Sequence, residues 1–192
     1  MKIGMYRNME EKQLSIIKPM KEKEKMIIYF FIYAFLGWIL ETIYCIATLH
    51  TFNNRGFLYG PICPMYGIGA VILIISLKSF EGNKVKKFFV GMIIFTIFEY
   101  IVSYLLETIF GLRWWDYTDD LLNLQGRVSL IFSIAWGVMA VVFVEKIHPF
   151  ISKQLEKLFN KTSRKIQIIV FSMLGIGILV DLILSVMKYV NM

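Results

Sequence analysis

Five apolar stretches, separated by polar segments rich in lysine, constrain this chain more than any other feature of its sequence. They lie near residues 26–49, 61–80, 88–110, 128–144 and 166–190. At about 1.5 Å of rise per helical residue, each can cross a hydrocarbon core of about 30 Å, the fourth being the shortest. Backbone N–H and C=O groups find no water inside a bilayer, so uninterrupted runs of this length specify helices. The fold class is therefore predicted to be all-α, a polytopic transmembrane helix bundle of about five spans. Composition agrees: 57% hydrophobic and 16% aromatic residues exceed what one soluble domain of 192 residues could bury. Lipid must cover the excess.

A net charge of +7 raises the question of nucleic acid. A nucleic-acid surface needs basic stripes interleaved with aromatics, whereas these residues lie between apolar runs. They set orientation instead. Seventeen of the 21 lysines and arginines precede the first stretch or fill the second and fourth connections, and only Arg55, Arg113, Arg127 and Lys188 fall on the other side. The positive-inside rule then puts the N-terminus in the cytoplasm and the C-terminus outside. Residues 1–25 form a basic cytoplasmic segment. They resemble the start of a signal peptide, but the apolar stretch behind them is too long and lacks a small-residue cleavage site.

Between the fourth and fifth stretches, Phe150, Ile151, Leu155, Leu158 and Phe159 recur at helical spacing opposite Lys153, Gln154, Glu156 and Lys157. This predicts an amphipathic cytoplasmic helix near 149–160, lying on anionic lipid or docking a partner. The sequon Asn160-Lys161-Thr162 would be cytoplasmic and hence no glycosylation site.

Carboxylates inside a bilayer are costly if unpaired, which makes them functional candidates. Glu41 belongs to the outer half of the first span, Glu99 to the middle of the third, and Glu107 to its outer end. Glu99, Ser103 and Glu107 step by four and share one helix face. Arg55, within Asn53-Asn54-Arg55-Gly56, and Arg127, after Gly126, supply guanidinium groups suited to a carboxylate or a phosphate. Glu41, Asn54, Arg55, Glu99, Glu107, Trp115, Asp116 and Arg127 form the candidate ligand-binding set. The alternative is a set of interhelical ion pairs that hold no ligand. Gly60-Pro61-Ile62-Cys63-Pro64 predicts a non-helical turn before a helix that starts near Pro64. Such backbone at membrane depth requires protein or water to satisfy it. Trp114-Trp115-Asp116-Tyr117, followed by Asn123, Gly126 and Arg127, suggests a loop folded over the helix ends, beyond a simple aromatic belt.

Cys45 and Cys63 are too few for a disulfide framework and are expected to be free, though a bridge between the first two helices is geometrically possible. His50 and His148 fall on opposite sides, which argues against a shared metal site. No metal or cofactor is expected. Asp181 is a lone acid in the last span, facing a cavity or paired with a hydroxyl. Phosphate-loop, zincin and nucleophile-elbow motifs are missing, so any ATP-driven transport needs an ATPase from another chain.

Gly37-Trp38 with Glu41, Asn54-Arg55-Gly56-Phe57-Leu58 with Gly60-Pro61, Cys63-Pro64 with Tyr66-Gly67, and Trp114-Trp115-Asp116-Tyr117 with Asn123 and Gly126-Arg127 together resemble one family. It is the family described as Putative ABC-transporter type IV, or CmpB, and the resemblance runs from about Tyr29 to Val144. The family's name implies an ABC permease. With the candidate residues, the first reading is a permease-like or ligand-binding subunit with an outward-facing polar pocket for a small polar or amphipathic ligand, and with an ATPase subunit or a second copy as partner. A membrane enzyme acting on a lipid or cell-wall precursor would use the same residues, with a glutamate as general base and an arginine on phosphate. A structural or sensory subunit would use the charges only to tie helices together.

Overall fold

The computed structural model describes residues 20–49, 57–80, 82–159 and 161–190. The expectations for Asn54, Arg55, His50, Asn160 and most of the basic N-terminal segment lie outside the described residues. The helices are α1 (Glu22–Leu49), α2 (Pro64–Leu77), α3 (Lys84–Phe110), α4 (Leu130–Val142), α5 (His148–Phe159) and α6 (Arg164–Val190). A 3-10 turn, Lys78–Phe80, extends α2, and a π-helical turn, Phe143–Ile147, joins α4 to α5. There is no strand among the described residues, only the isolated bridge between Leu124 and Val128.

Four helical runs are long and apolar enough to cross a membrane: Glu22–Ala47, Lys84–Phe110, Leu130–Phe159 and Arg164–Val190. Pro64–Phe80 is a shorter apolar helix. The distribution of side chains is the reverse of that in a soluble protein. Ile43, Ile109, Met173 and Ile176 are more than 60% exposed, while Glu99, Gln167 and Ser185 are almost wholly buried. A surface this apolar is stable only against lipid, which makes the chain a multi-pass membrane protein.

Two antiparallel hairpins form the core, α1 with α2 and α3 with α4. Small residues set their spacing, since lipid offers no hydrophobic drive and close van der Waals packing must hold the helices. A Cβ on Gly67 would stand 2.6 Å from the Phe30 carbonyl oxygen, and one on Gly91 would stand 2.3 Å from Cβ of Ala140. The hairpins meet through α2 and α3, where Phe95 passes over Gly69.

The segment expected to lie separately on the membrane is helical, but it follows α4 with no non-helical break. Pro149 supplies no N–H and its ring crowds the carbonyl four residues back. The π turn absorbs this misfit, with the His148 N–H bonded to the Phe143 carbonyl. Leu155 and Phe159 pack with Met20, Ile28, Tyr29 and Tyr33, so this edge of α5 rests on α1, while Phe150 and Leu158 stay exposed.

Ion pairs gather where the lysines are densest. Lys25 meets Glu156 at 3.0 Å, buried Lys87 in α3 pairs with Glu145, and Arg164 Nη1 donates to Glu24 at 2.9 Å. The last contact ties the start of α6 to α1. This is the basic end of the bundle, and the segment 111–129 forms the opposite, loop end.

Candidate functional site

The turn before α2 explains the role of Asp181. Residues 57–63 are non-helical, and their backbone amides need acceptors. Asp181 accepts from Tyr59 N–H at 2.8 Å and from Gly60 N–H at 2.9 Å, and Ser185 Oγ donates to it at 3.2 Å. The residue read as a lone acid is thus the acceptor for a turn more than a hundred residues away, and its partners include a hydroxyl. A Cβ at position 60 would stand 2.7 Å from Asp181 Oδ2, so a larger residue there would displace the carboxylate from the amides it accepts. Cys63 N–H bonds to the Ala34 carbonyl at 2.9 Å, and Pro64 then opens the helix. Cys45 and Cys63 are both free thiols.

Each candidate acid has its own partner. Glu41 accepts from the Tyr66 hydroxyl at 2.5 Å, across the α1–α2 contact. Glu99, 2% exposed, accepts from the Tyr117 hydroxyl at 3.1 Å and from Trp136 Nε1 at 3.0 Å. Glu107 meets Arg127 Nη1 at 2.6 Å, and the guanidinium lies 5.5 Å from the centre of the Tyr104 ring and 5.9 Å from that of Tyr100. Arg127 also donates to Ser103 Oγ at 3.4 Å, so the face predicted from the four-residue spacing is the one Arg127 covers. Its Nε is buried without a hydrogen-bond partner among the described residues.

Asp116 and Trp115 build the loop. Asp116 accepts from Thr118 N–H at 3.0 Å and from the Thr118 hydroxyl, and Arg113 Nη1 reaches it at 3.2 Å. The Thr118 hydrogen bonds, followed by the charge of Arg113, hold this exposed carboxyl below the usual range for an aspartate. Trp115 Nε1 donates to the Arg127 carbonyl at 2.9 Å, and Asn123 Nδ2 donates to the carbonyls of Thr118 and Asp120. Gly126 has φ +66°, and a Cβ there would collide with Asp116 and Thr118 at 2.5 Å. Glu99 lies three turns below the end of α3, about 16 Å. That exceeds the reach of a tyrosine side chain, so the loop itself descends into the bundle to bring Tyr117 to Glu99.

Between the hairpins lies an apolar cleft of about 160 Å³. Leu36 and Leu40 of α1, Tyr66 and Ala70 of α2, Phe95 of α3 and Met139 of α4 line it. Trp136 lines the same cleft as Tyr66, and these two side chains are the donors to Glu99 and Glu41. Tyr33, Phe143 and Ile147 line it as well. The Tyr33 hydroxyl is 2.9 Å from His148 Nδ1. Glu41 lies within electrostatic reach of both Tyr66 and Tyr117, so the Glu41 and Glu99 clusters adjoin. Glu107, Asp116 and Arg127 are spent on one another and on the loop, and none of them lines the cleft. Sequence reasoning passed over Tyr33, Trp136 and the cleft: Trp136 stands in an unbroken apolar run, and nothing there marks its N–H as the partner of a carboxylate in another helix.

The sequence pattern of one family, described as Putative ABC-transporter type IV, matches residues 28–186. The match continues well past Val144, where the resemblance read from motifs stopped, and takes in most of α6. Within that stretch Asp181 of α6 accepts from the amides of Tyr59 and Gly60, so the last helix completes the turn around Gly60. No curated protein and no solved structure matches the chain. With 159 of its residues matched and its helices packed as a polytopic bundle, this chain belongs to the Putative ABC-transporter type IV family.

Proposed function

We propose that this chain is a permease-like, ligand-binding subunit of a membrane transporter, which holds an amphipathic ligand in the cleft between its two hairpins. The observation that carries the reading is the cleft itself. Its walls come from both hairpins, its lining is apolar, and one part of it is bounded by Tyr66 and Trp136 with Glu41 and Glu99 behind them. An apolar cavity with a few convergent polar groups is the usual form of a small-molecule site. A cleft between two helix pairs can also change shape when the pairs rock against each other, as transport requires.

The basic end faces the cytoplasm in this reading, and the loop end faces outward. Hydrolysis of ATP comes from a partner chain docked at the basic end. Binding is favoured over catalysis because Arg127 is already engaged by Glu107 and lies away from the cleft. The experiment is native mass spectrometry of the gently solubilised protein, wild type against Leu36→Trp and Met139→Trp, two exposed positions at which a larger side chain fills the cleft. A small molecule retained by the wild type and lost from both variants, together with co-purification of an ATP-hydrolysing subunit, is expected. Retention of the same molecule by both filled variants overturns the reading.

A further inference from the structure

We infer that the cleft selects a lipophilic cation, a single apolar chain that carries an amine or ammonium head. The inference rests on the reading of the cleft as a ligand site and adds the charge of the ligand.

Aromatic rings supply much of the lining: Tyr33, Tyr66, Phe95, Trp136 and Phe143. The cleft therefore offers a moving head group almost no hydrogen-bonding atoms and a concentration of π faces. Two of these rings are not electrically ordinary. Tyr66 gives its O–H to Glu41 at 2.5 Å, and Trp136 gives its N–H to Glu99 at 3.0 Å. Donation to an anion pushes electron density into the ring and deepens the negative face that attracts a cation. The carboxylates add their own field. No lysine, arginine or histidine nitrogen lies within ion-pair distance of Glu41 or Glu99 among the described residues, whereas Glu24, Glu107, Glu145 and Glu156 all have one. The two acids nearest the cleft thus have no described basic side chain paired with them. In surroundings of low dielectric that field reaches across the aromatic wall. An arriving ammonium is attracted by both carboxylates, while an anionic head meets repulsion and a neutral head gains nothing from either. The tail lies among Leu36, Leu40, Ala70 and Met139, which an apolar chain suits.

The test uses purified full-length protein in a neutral maltoside detergent with two radiolabelled probes of equal chain length, octyltrimethylammonium and octyl glucoside. Unlabelled octyl sulfate serves as the anionic competitor. The ammonium probe is expected to bind saturably and at least about tenfold more tightly than the glucoside, and octyl sulfate is expected not to displace it. Glu41→Gln, which keeps an acceptor for Tyr66, should weaken the ammonium about tenfold and leave the glucoside unchanged. Glu99→Gln should do the same; if that variant fails to fold, Glu41→Gln carries the comparison alone. If all three compounds compete equally and all are lost in Met139→Trp, the cleft remains a ligand site and the cation selectivity is overturned. If the wild type binds neither probe saturably, or the filled variants bind as it does, the ligand site itself is overturned and the cation with it.

Discussion

The carboxylate of Asp181 lies 2.9 Å from the backbone amide of Gly60, joining the last helix to the turn that leads into the second. Without Asp181 the Gly60 amide would be orphaned at membrane depth, where an unsatisfied group costs several kcal/mol, and the Tyr59 amide would lose its 2.8 Å bond and keep the 3.2 Å one to Ser185 Oγ. Asp181→Leu should therefore destabilise the protein by about 3 kcal/mol, read as a lowered midpoint of thermal unfolding in detergent. Asp181→Asn, which keeps one carbonyl oxygen, should lose less than half as much. Equal losses from the two substitutions would mean that the amides find other acceptors.

Glu99 serves two donors at once, Tyr117 from the loop and Trp136 from α4. Glu99→Leu strands both and should lower stability by about 2–3 kcal/mol, whereas Glu99→Gln keeps an acceptor and should lose about 1 kcal/mol. The fluorescence of Trp136, followed in a variant whose other tryptophans are replaced by phenylalanine, should shift in Glu99→Leu and stay nearly constant in Glu99→Gln.

Two glycines in helices make opposite predictions. A Cβ at Gly37 would stand 2.3 Å from Cγ of Tyr66, while one at Gly177 has nothing within 4 Å. Gly37→Ala should force α1 and α2 apart, cost about 3 kcal/mol, and disturb the Tyr66–Glu41 hydrogen bond. Gly177→Ala should be neutral or stabilise by up to about 1 kcal/mol, because alanine restricts the unfolded chain and favours helix. Thermal unfolding of the two variants side by side measures the contrast.

Asp116 gives the loop a pH dependence of definite sign. Its carboxyl is held below the ordinary value in the folded protein, so the folded state binds the proton more weakly than the unfolded chain does. The loop contacts are thus at full strength above the ordinary aspartate range, about pH 4, and fade as pH falls further. Limited proteolysis between Thr118 and Gln125 should accelerate on acidification in the wild type. Asp116→Asn should be cleaved faster at neutral pH and respond less to acid.

Topology provides the last prediction. In a background without Cys45 and Cys63, a cysteine at exposed position 119 should react with an impermeant thiol reagent added to intact cells. One at exposed position 153 should react only after the cells are opened. The reverse pattern would invert the orientation of the whole bundle and place Glu41 and Glu99 nearer the cytoplasm.

The sequence by itself determined that the chain is helical and lives in lipid, because runs of about twenty apolar residues have few other stable outcomes. It also determined that Glu41, Glu99 and Glu107 are unusual, that the backbone before Pro64 leaves the helix, and that the loop after Trp114 folds over the bundle, since each of these is a local conflict between residue type and surroundings. Only the tertiary structure decided who answers each conflict. Asp181 reaches Gly60 from the far end of the chain, Tyr117 descends to Glu99, and Arg127 turns to Glu107, which takes it out of any shared pocket. The cleft belongs to the tertiary structure as well. Leu36, Tyr66, Phe95 and Met139 come from four different helices, and the space they line exists only once the two hairpins have packed together.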